Sequence, residues 1–265
     1  MINKNFISIL ITNYNKEKFL NKSLQAACGQ NFKNYEIIIY DDCSTDDSIN
    51  IIQKYKKVQL IINKSNNKKR SSPINQIKGI LECVKKSRGN IICLLDADDC
   101  FKKDKLKKID QFFLKNINLN CVFDMPLNKL AKFSLKKKIQ KSSIWPTIFP
   151  TSCISLRRNF MINFLKNVNE NDFPHLEIDA RLTIFSKFYM NEYNIINKNL
   201  TYYNYDPNGI TANIDKFSKI WWIRRSEAFS YLRTIMKKKQ QRFIFSLDYY
   251  LTKFLSHLFK KILKL

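Results

Sequence analysis

Four short apolar runs mark the first hundred residues, and each gives way to polar residues within a step or two. Residues 6–12 (FISILIT), 35–40 (YEIIIY), 58–62 (VQLII) and 91–95 (IICLL) have the length and β-branched content of buried strands. The stretches between them change period. Phe19, Leu20, Leu24 and Ala27 share a helical face across 18–27, and Ile77, Ile80, Leu81 and Val84 do so across 74–86. Ser44, followed by Asp46 and Asp47, predicts a capped helix reaching about Tyr55. Strand and helix thus alternate as β-α-β-α-β-α-β, which predicts a parallel sheet with helices on its faces.

Past residue 100 the periodicity weakens. Helices are expected over 102–114, 159–168 and 180–189, a short strand over 153–156, and an unbroken helical stretch over 216–265. The segment 63–73 reads as a basic loop, 126–144 as a Lys-rich patch, and Trp145-Pro146 and Phe149-Pro150 as extended turns.

The polar residues that end two of the runs carry candidate chemistry. Asp41-Asp42 closes the second strand, and Asp96-Ala97-Asp98-Asp99 closes the fourth. In open parallel sheets the carboxyl edge is where ligands bind. Carboxylates there suit a hard divalent cation bridging phosphates, although acids at a strand end also cap helices.

Charge and composition narrow the field. The 265 residues carry a formal charge of +25, which attracts polyanions, while 45% hydrophobic and 13% aromatic content exclude a disordered chain. Seven cysteines without a Cys-x-x-Cys pair and only two histidines give no zinc spacing; with no signal-like leader, they suggest a reducing cytoplasm. No apolar run is long enough for a transmembrane helix, so contact with a membrane is expected only at its surface.

Taken together, ISILITNYN, YEIIIYDDCSTDDS and RGNIICLLDADD resemble, in order and spacing, the opening strand, acidic turn and metal motif of family 2 glycosyltransferases. The likeness covers roughly the first hundred residues. It implies a GT-A fold, that is, an α/β, Rossmann-like, mainly parallel central sheet flanked by helices, with a helical C-terminal extension. It also implies inverting transfer from a nucleotide-sugar, a UDP-sugar being favoured, with Mg2+ or Mn2+ as cofactor. Thr12, Asn13, Tyr14, Asp41, Asp42 and Asp96 would then serve the donor, and Asp98, with Asp96, the metal. Thr12 stands where the family commonly has proline, and Cys43 where it has glycine; at Cys43 the residue is either in an ordinary conformation or strained.

The segment 172–181 (DFPHLEIDAR) resembles the family's base-bearing region, with Ile178 interrupting the usual acidic pair. Asp179 is the favoured base, at the start of an amphipathic helix, and Glu177 the second; an N-cap role for Asp179 is the plainer alternative. Residues 202–211 (YYNYDPNGIT) resemble a closing loop, and Trp221-Trp222 with Arg224-Arg225 a diphosphate-binding element in which Arg225 would contact the donor. The domains expected are a catalytic unit over 1–215, with a donor half over 1–125 and an acceptor half over 126–215, and an extension over 216–265.

Leu247, Leu251, Phe254, Leu255, Leu258, Ile262 and Leu265 recur at helical spacing among lysines. That pattern suits either packing on the domain or a peripheral position on the inner face of the cell membrane, beside a glycan or lipid-linked acceptor. The alternatives are less well served. A nucleic-acid-binding protein has no use for strand-end carboxylates, and a nucleotidyltransferase would carry a Gly-rich loop where this chain reads TNYNKEKF. A catalytically inactive GT-A-like binding module is the runner-up.

Overall fold

The structure is a computed structural model that describes residues 5–64, 72–127, 147–167, 169, 171–204, 206–207, 209 and 214–262. The Lys-rich patch, apart from residues 126–127, and Trp145-Pro146 lie outside the described residues. So do parts of the 202–211 loop and Leu265.

Strands β1 (Ile7–Asn13), β2 (Tyr35–Asp41), β3 (Val58–Ile62) and β4 (Ile91–Asp96) run parallel in the order β3-β2-β1-β4. Helices α1 (Glu17–Cys28), α2 (Ser48–Gln53) and α3 (Ser72–Lys86) connect them. Alternation decides which helix each strand residue meets. Ile7, Ile9, Ile11, Ile37, Ile39, Cys93 and Leu95 pack with Leu20, Leu24 and Ile52 beneath α1 and α2. Leu10, Ile38, Tyr40, Ile92 and Leu94 pack with Ile77, Ile80 and Val84 of α3 on the other face. Gly79 lets α3 approach closely, because a Cβ there would fall 2.6 Å from the Tyr40 ring.

The second half extends the same sheet. Strand β5 (Cys100–Phe101) leads into α4 (Lys105–Lys115); β6 (Cys121–Leu127), β7 (Ile154–Arg157) and β8 (Asn194–Tyr202) complete eight strands in the order β3-β2-β1-β4-β7-β6-β8-β5. Here directions mix: β7 is antiparallel to β4 and β6, and β8 parallel to β6. Strands β5, β6 and β8 escape the periodicity argument. β5 has two residues, β6 contains Pro126, and β8 (NIINKNLTY) alternates weakly. Helices α5 (Arg158–Asn167) and α6 (Ile178–Ile184) follow the expected segments, but 185–189 leaves α6 as a wider π turn.

Two expectations need correction. Ser44 does not cap α2, which begins at Ser48 after Asp47; Ser44 bonds Asp41 instead. The expected unbroken helix over 216–265 is, within the described residues 216–262, two helices, α7 (Lys219–Lys238) and α8 (Leu247–Ile262), separated by a break containing Gln240 at φ 55°. Ser218 accepts a hydrogen bond from the Trp221 amide and so caps α7. Tyr231, Leu232 and Ile235 of α7 join the core on the α3 face. All seven cysteines are free, and Cys83, Cys93, Cys121 and Cys153 fill apolar space.

Candidate functional site

Parallel register sets the acids at one sheet edge. Asn13 lies opposite Asp41 and Thr12 opposite Asp96, so the ends of β2, β1 and β4 stand side by side. Alternation then divides them. Asn13 and Asp41 point to the α1/α2 face, whereas Thr12, Tyr40 and Asp96 point toward α3.

Asp41 is fully buried and saturated. Its carboxylate accepts from Asn13 Nδ2 at 2.7 Å, the Ser44 amide at 2.8 Å and Ser44 Oγ at 2.7 Å. Cys43, between these partners, takes φ 65°, the left-handed conformation for which glycine is suited. Of the two options open at Cys43, the structure has the strained one. Asn13 keeps one open valence, since its buried Oδ1 has no hydrogen-bond partner. Tyr14 stands half exposed beside it, and Asp42 accepts from Asn63 Nδ2 at 2.8 Å on the β3 side. A cavity of about 440 Å³ opens there, lined by Tyr40, Ile62, Asn63 and Lys78; it lies beside the acids rather than among them.

The end of β4 is arranged differently. Asp96 accepts from Gln76 Nε2 at 2.8 Å, and its own amide donates to Ser152 Oγ. Burial and the neighbouring Asp98 push its carboxyl up to about 7. Asp98 meets Lys16 Nζ at 2.8 Å, and the same ammonium pairs with Asp206. Asp99 is buried against Ser152 Oγ and the Asn204 amide at 2.6 and 2.8 Å, and burial holds it well above the usual carboxylate range. Asn204 Nδ2 also donates to the Asp98 carbonyl, so the residues after β8 are clamped onto the acidic turn.

Beneath this turn lies a buried ion pair. Lys105 Nζ stands 2.7 Å from Asp124 and donates to the Ser152 carbonyl at 2.6 Å, which holds Ser152 where both Asp96 and Asp99 use it. Nothing in the sequence marked Lys105, Ser152 or Gln76, whereas Asn204 lies in the 202–211 segment that resembled a closing loop. They act through contacts between segments far apart in the chain.

Asp179 lies in the first turn of α6, within electrostatic reach of Asp96. Its carboxyl is raised to about 7 by burial, then by Glu177, and the charge of Asp96 adds to the effect. The Tyr203 phenol is pushed up to about 12 by burial and by the charges of Asp99, Asp96, Asp98 and Asp179. Four carboxyl groups from two distant segments therefore act on one ring. Glu177 occupies the N-cap position, where it pairs with Arg224. Arg225 turns the other way, to Asp248 of α8, and lies over the Trp221 ring at 5.4 Å. The guanidinium beside the carboxylates is thus that of Arg224. His175 is partly buried with its ring pKa lowered, and its amide donates to Glu227.

This cluster has excess negative charge and already accommodates one cation, the Lys16 ammonium between Asp98 and Asp206, so the donor set fits a hard divalent ion. Among the described residues no three such ligands converge into a ready cage.

A mixed α/β sheet whose first four strands run parallel, with helices on both faces and carboxylates at the carboxyl edge, has the architecture of the GT-A fold. The family model "Glycosyl transferase family 2" matches residues 8–175, more than half of the chain, and the chain belongs to that family. A glycosyltransferase of Haemophilus influenzae is 34% identical over 149 residues, which cover 52% of this chain and 56% of the relative. The Escherichia coli UDP-Glc:alpha-D-GlcNAc-diphosphoundecaprenol beta-1,3-glucosyltransferase WfaP is 37% identical over 101 residues, 38% of each chain. The chain thus spans about half or less of the length of these relatives. Among solved structures, Staphylococcus aureus TarS 1-349 in complex with UDP-GlcNAc superposes with a TM-score of 0.64 at 14% identity, over 96% of this chain and 71% of that one. The mannosyltransferase PcManGT of Pyrobaculum calidifontis, with GDP-Man and Mn2+, gives 0.62 at 14% identity, over 98% and 74%. At that identity the likeness concerns the fold.

Proposed function

We propose that the chain is an inverting, metal-dependent glycosyltransferase that moves a hexosyl unit from a nucleotide-diphosphate sugar to an acceptor hydroxyl. What carries this reading is the family match over residues 8–175 together with the register that sets Asp41 and Asp96 side by side at the carboxyl edge of β2, β1 and β4.

Thr12, Asn13 and Tyr14 form the base end of the donor site. The open Asn13 Oδ1 suits a base with a ring N–H, as uracil has, and Tyr14 offers a ring for stacking. Asp41 serves the donor by holding Asn13, and Asp42 lies at the rim. Asp98, with Asp96, would hold Mg2+ or Mn2+, which stabilises charge on the departing diphosphate. For the diphosphate we place Arg224 ahead of Arg225, because Arg225 is engaged by Asp248. Residues 202–211 serve as the closing loop, supported by the Lys16–Asp206 contact and the Asn204 clamp.

Asp179 acts as general base. It takes the acceptor hydroxyl's proton as that oxygen attacks the anomeric carbon. The bond from that carbon to the diphosphate breaks, its electron pair leaves with the nucleotide, and the configuration inverts. A carboxyl raised to about 7 is well matched to this task at neutral pH. Glu177, the second candidate, is held by Arg224 and sets the charge beside Asp179.

The acceptor is placed among cell-surface glycans or lipid-linked saccharides, with the chain on the cytoplasmic face of the membrane. The lipid-linked acceptor in the name of the WfaP relative supports this choice. The catalytic unit is assigned to 1–215, with 216–265 as an extension whose first helix shares its core.

Thermal shift with a panel of nucleotide-sugars, with Mg2+ or Mn2+, tests the donor assignment. A shift for one donor that disappears in Asp98→Ala supports it. A panel without any metal-dependent shift counts against the whole reading.

A further inference from the structure

Helix α8 wears its apolar side outward. The face packed on α7 carries Tyr249, Thr252 and Ser256, all buried. On the opposite face Leu247, Leu251, Phe254 and Leu258 are 89%, 52%, 65% and 44% exposed, at the i, i+4, i+7, i+11 spacing of one stripe. Ile244, Phe245 and Tyr250 continue the exposed surface at its N-terminal end. Contiguous apolar surface on this scale marks an interaction site.

The orientation is held by specific contacts. Lys253 Nζ turns inward to the Ser226 carbonyl at 2.9 Å and Ser226 Oγ at 3.1 Å, Arg225 grips Asp248, and Phe229 and Phe243 pack edge-on against Tyr249. Rotating α8 to hide its leucines would break this set.

Charge identifies the occupant. Residues 219–262 contain eleven Lys and Arg against two acids, Glu227 and Asp248. Glu227 is buried against the His175 amide and Asp248 is held by Arg225, so neither offsets the rim. Arg233, Lys237, Lys238, Lys239 and Arg242 are exposed at one end of the stripe, and Lys260 and Lys261 at the other. A second copy of the chain would bring the same cationic rims, and a net +25, against each other. An anionic lipid surface satisfies both parts, with headgroups meeting the rims and acyl chains the stripe.

We propose that α8 is a membrane-docking helix that lies in the plane of an anionic bilayer, its Leu247–Leu251–Phe254–Leu258 stripe below the headgroups. Among the described residues no helix is long and apolar enough to cross a membrane, so the contact is peripheral. The docking surface is tied to the candidate site through α7, where Arg225 holds α8 and the adjacent Arg224 holds Glu177. If the transferase reading above is right, docking sets the acceptor side of the site close to the lipid. The surface itself rests on exposure and charge alone.

The test is flotation of the full chain with phosphatidylcholine vesicles, with and without phosphatidylglycerol. The chain is expected to float with the anionic vesicles, to stay behind with the neutral ones, and to lose binding as salt rises. Leu251→Asp/Phe254→Asp should reduce the bound fraction by about tenfold or more, and Lys237→Glu/Arg242→Glu by a smaller factor. These positions are exposed, so circular dichroism and the melting temperature should be unchanged. Equal binding by the apolar double variant overturns the proposal. So does failure of the unaltered chain to bind anionic vesicles, including the case in which sedimentation shows that it dimerises through this stripe. Donor-dependent thermal shift, measured in parallel, reports on the transferase reading separately.

Discussion

Asp41 and Asp96 end neighbouring strands of the same sheet, yet their surroundings assign them opposite work. Asp41 accepts three hydrogen bonds within its own β1–β2 corner and is closed to solvent. Asp96 has fewer partners and more acidic neighbours, and its carboxyl, like that of Asp179, is raised to about 7. A carboxylate saturated by donors braces a loop. One crowded by other acids is set to bind a cation or move a proton.

The strongest way to break this contrast is Asp179→Asn. Removing the base should lower kcat by about 10³-fold, roughly 4 kcal/mol, with donor affinity nearly unchanged. The same change should stabilise the fold at alkaline pH. A carboxyl whose folded pKa is raised contributes stability that is full below the unfolded value near 4 and is lost as pH climbs through about 7. Chemical denaturation at pH 5 and pH 8.5 should show the variant's advantage over the unaltered chain growing by about 2–3 kcal/mol between the two. For the unaltered enzyme, kcat should fall as pH drops below about 7, because the base becomes protonated.

Asp98→Ala comes next. Steady-state rates should drop by about 10²-fold or more and metal-dependent thermal shifts should vanish, while the melting temperature without metal changes little. If stability fell as far as activity, Asp98 would belong with the braces. Asp41→Ala makes the reverse prediction. Urea denaturation should register a loss of about 2–3 kcal/mol, as the Asn13 and Ser44 donors lose their common acceptor. Retention of full stability would show that the corner does not depend on this carboxylate.

The smallest effect concerns the same corner. Cys43→Gly should add about 1 kcal/mol, because glycine adopts φ 65° without the Cβ penalty, offset in part by its greater freedom when unfolded. A lower midpoint in the variant would mean that the thiol packs better than the strain costs.

Much of the donor half was legible in the chain. Each of its four strands is one apolar run, and each helix between them has its own apolar face, so periodicity alone marked them. Strand β3 falls on the predicted residues 58–62, and β2 and β4 extend one residue past theirs. Strands β5, β6 and β8 were not legible, since their stability comes from partners more than 30 residues away in sequence. The split between α7 and α8 was hidden by a composition that stays helix-like throughout 216–265.

Sequence by itself determined the class of fold, the family, and that acids would stand at one edge of a parallel sheet, because periodicity and strand-end chemistry are local properties. Only the tertiary structure decided which acids are sealed by donors and which are left to one another. It also turned Arg225 away while keeping Arg224 at the site, and faced the apolar stripe of α8 outward. Each of these depends on what another segment brings into contact, and a linear pattern carries no record of that.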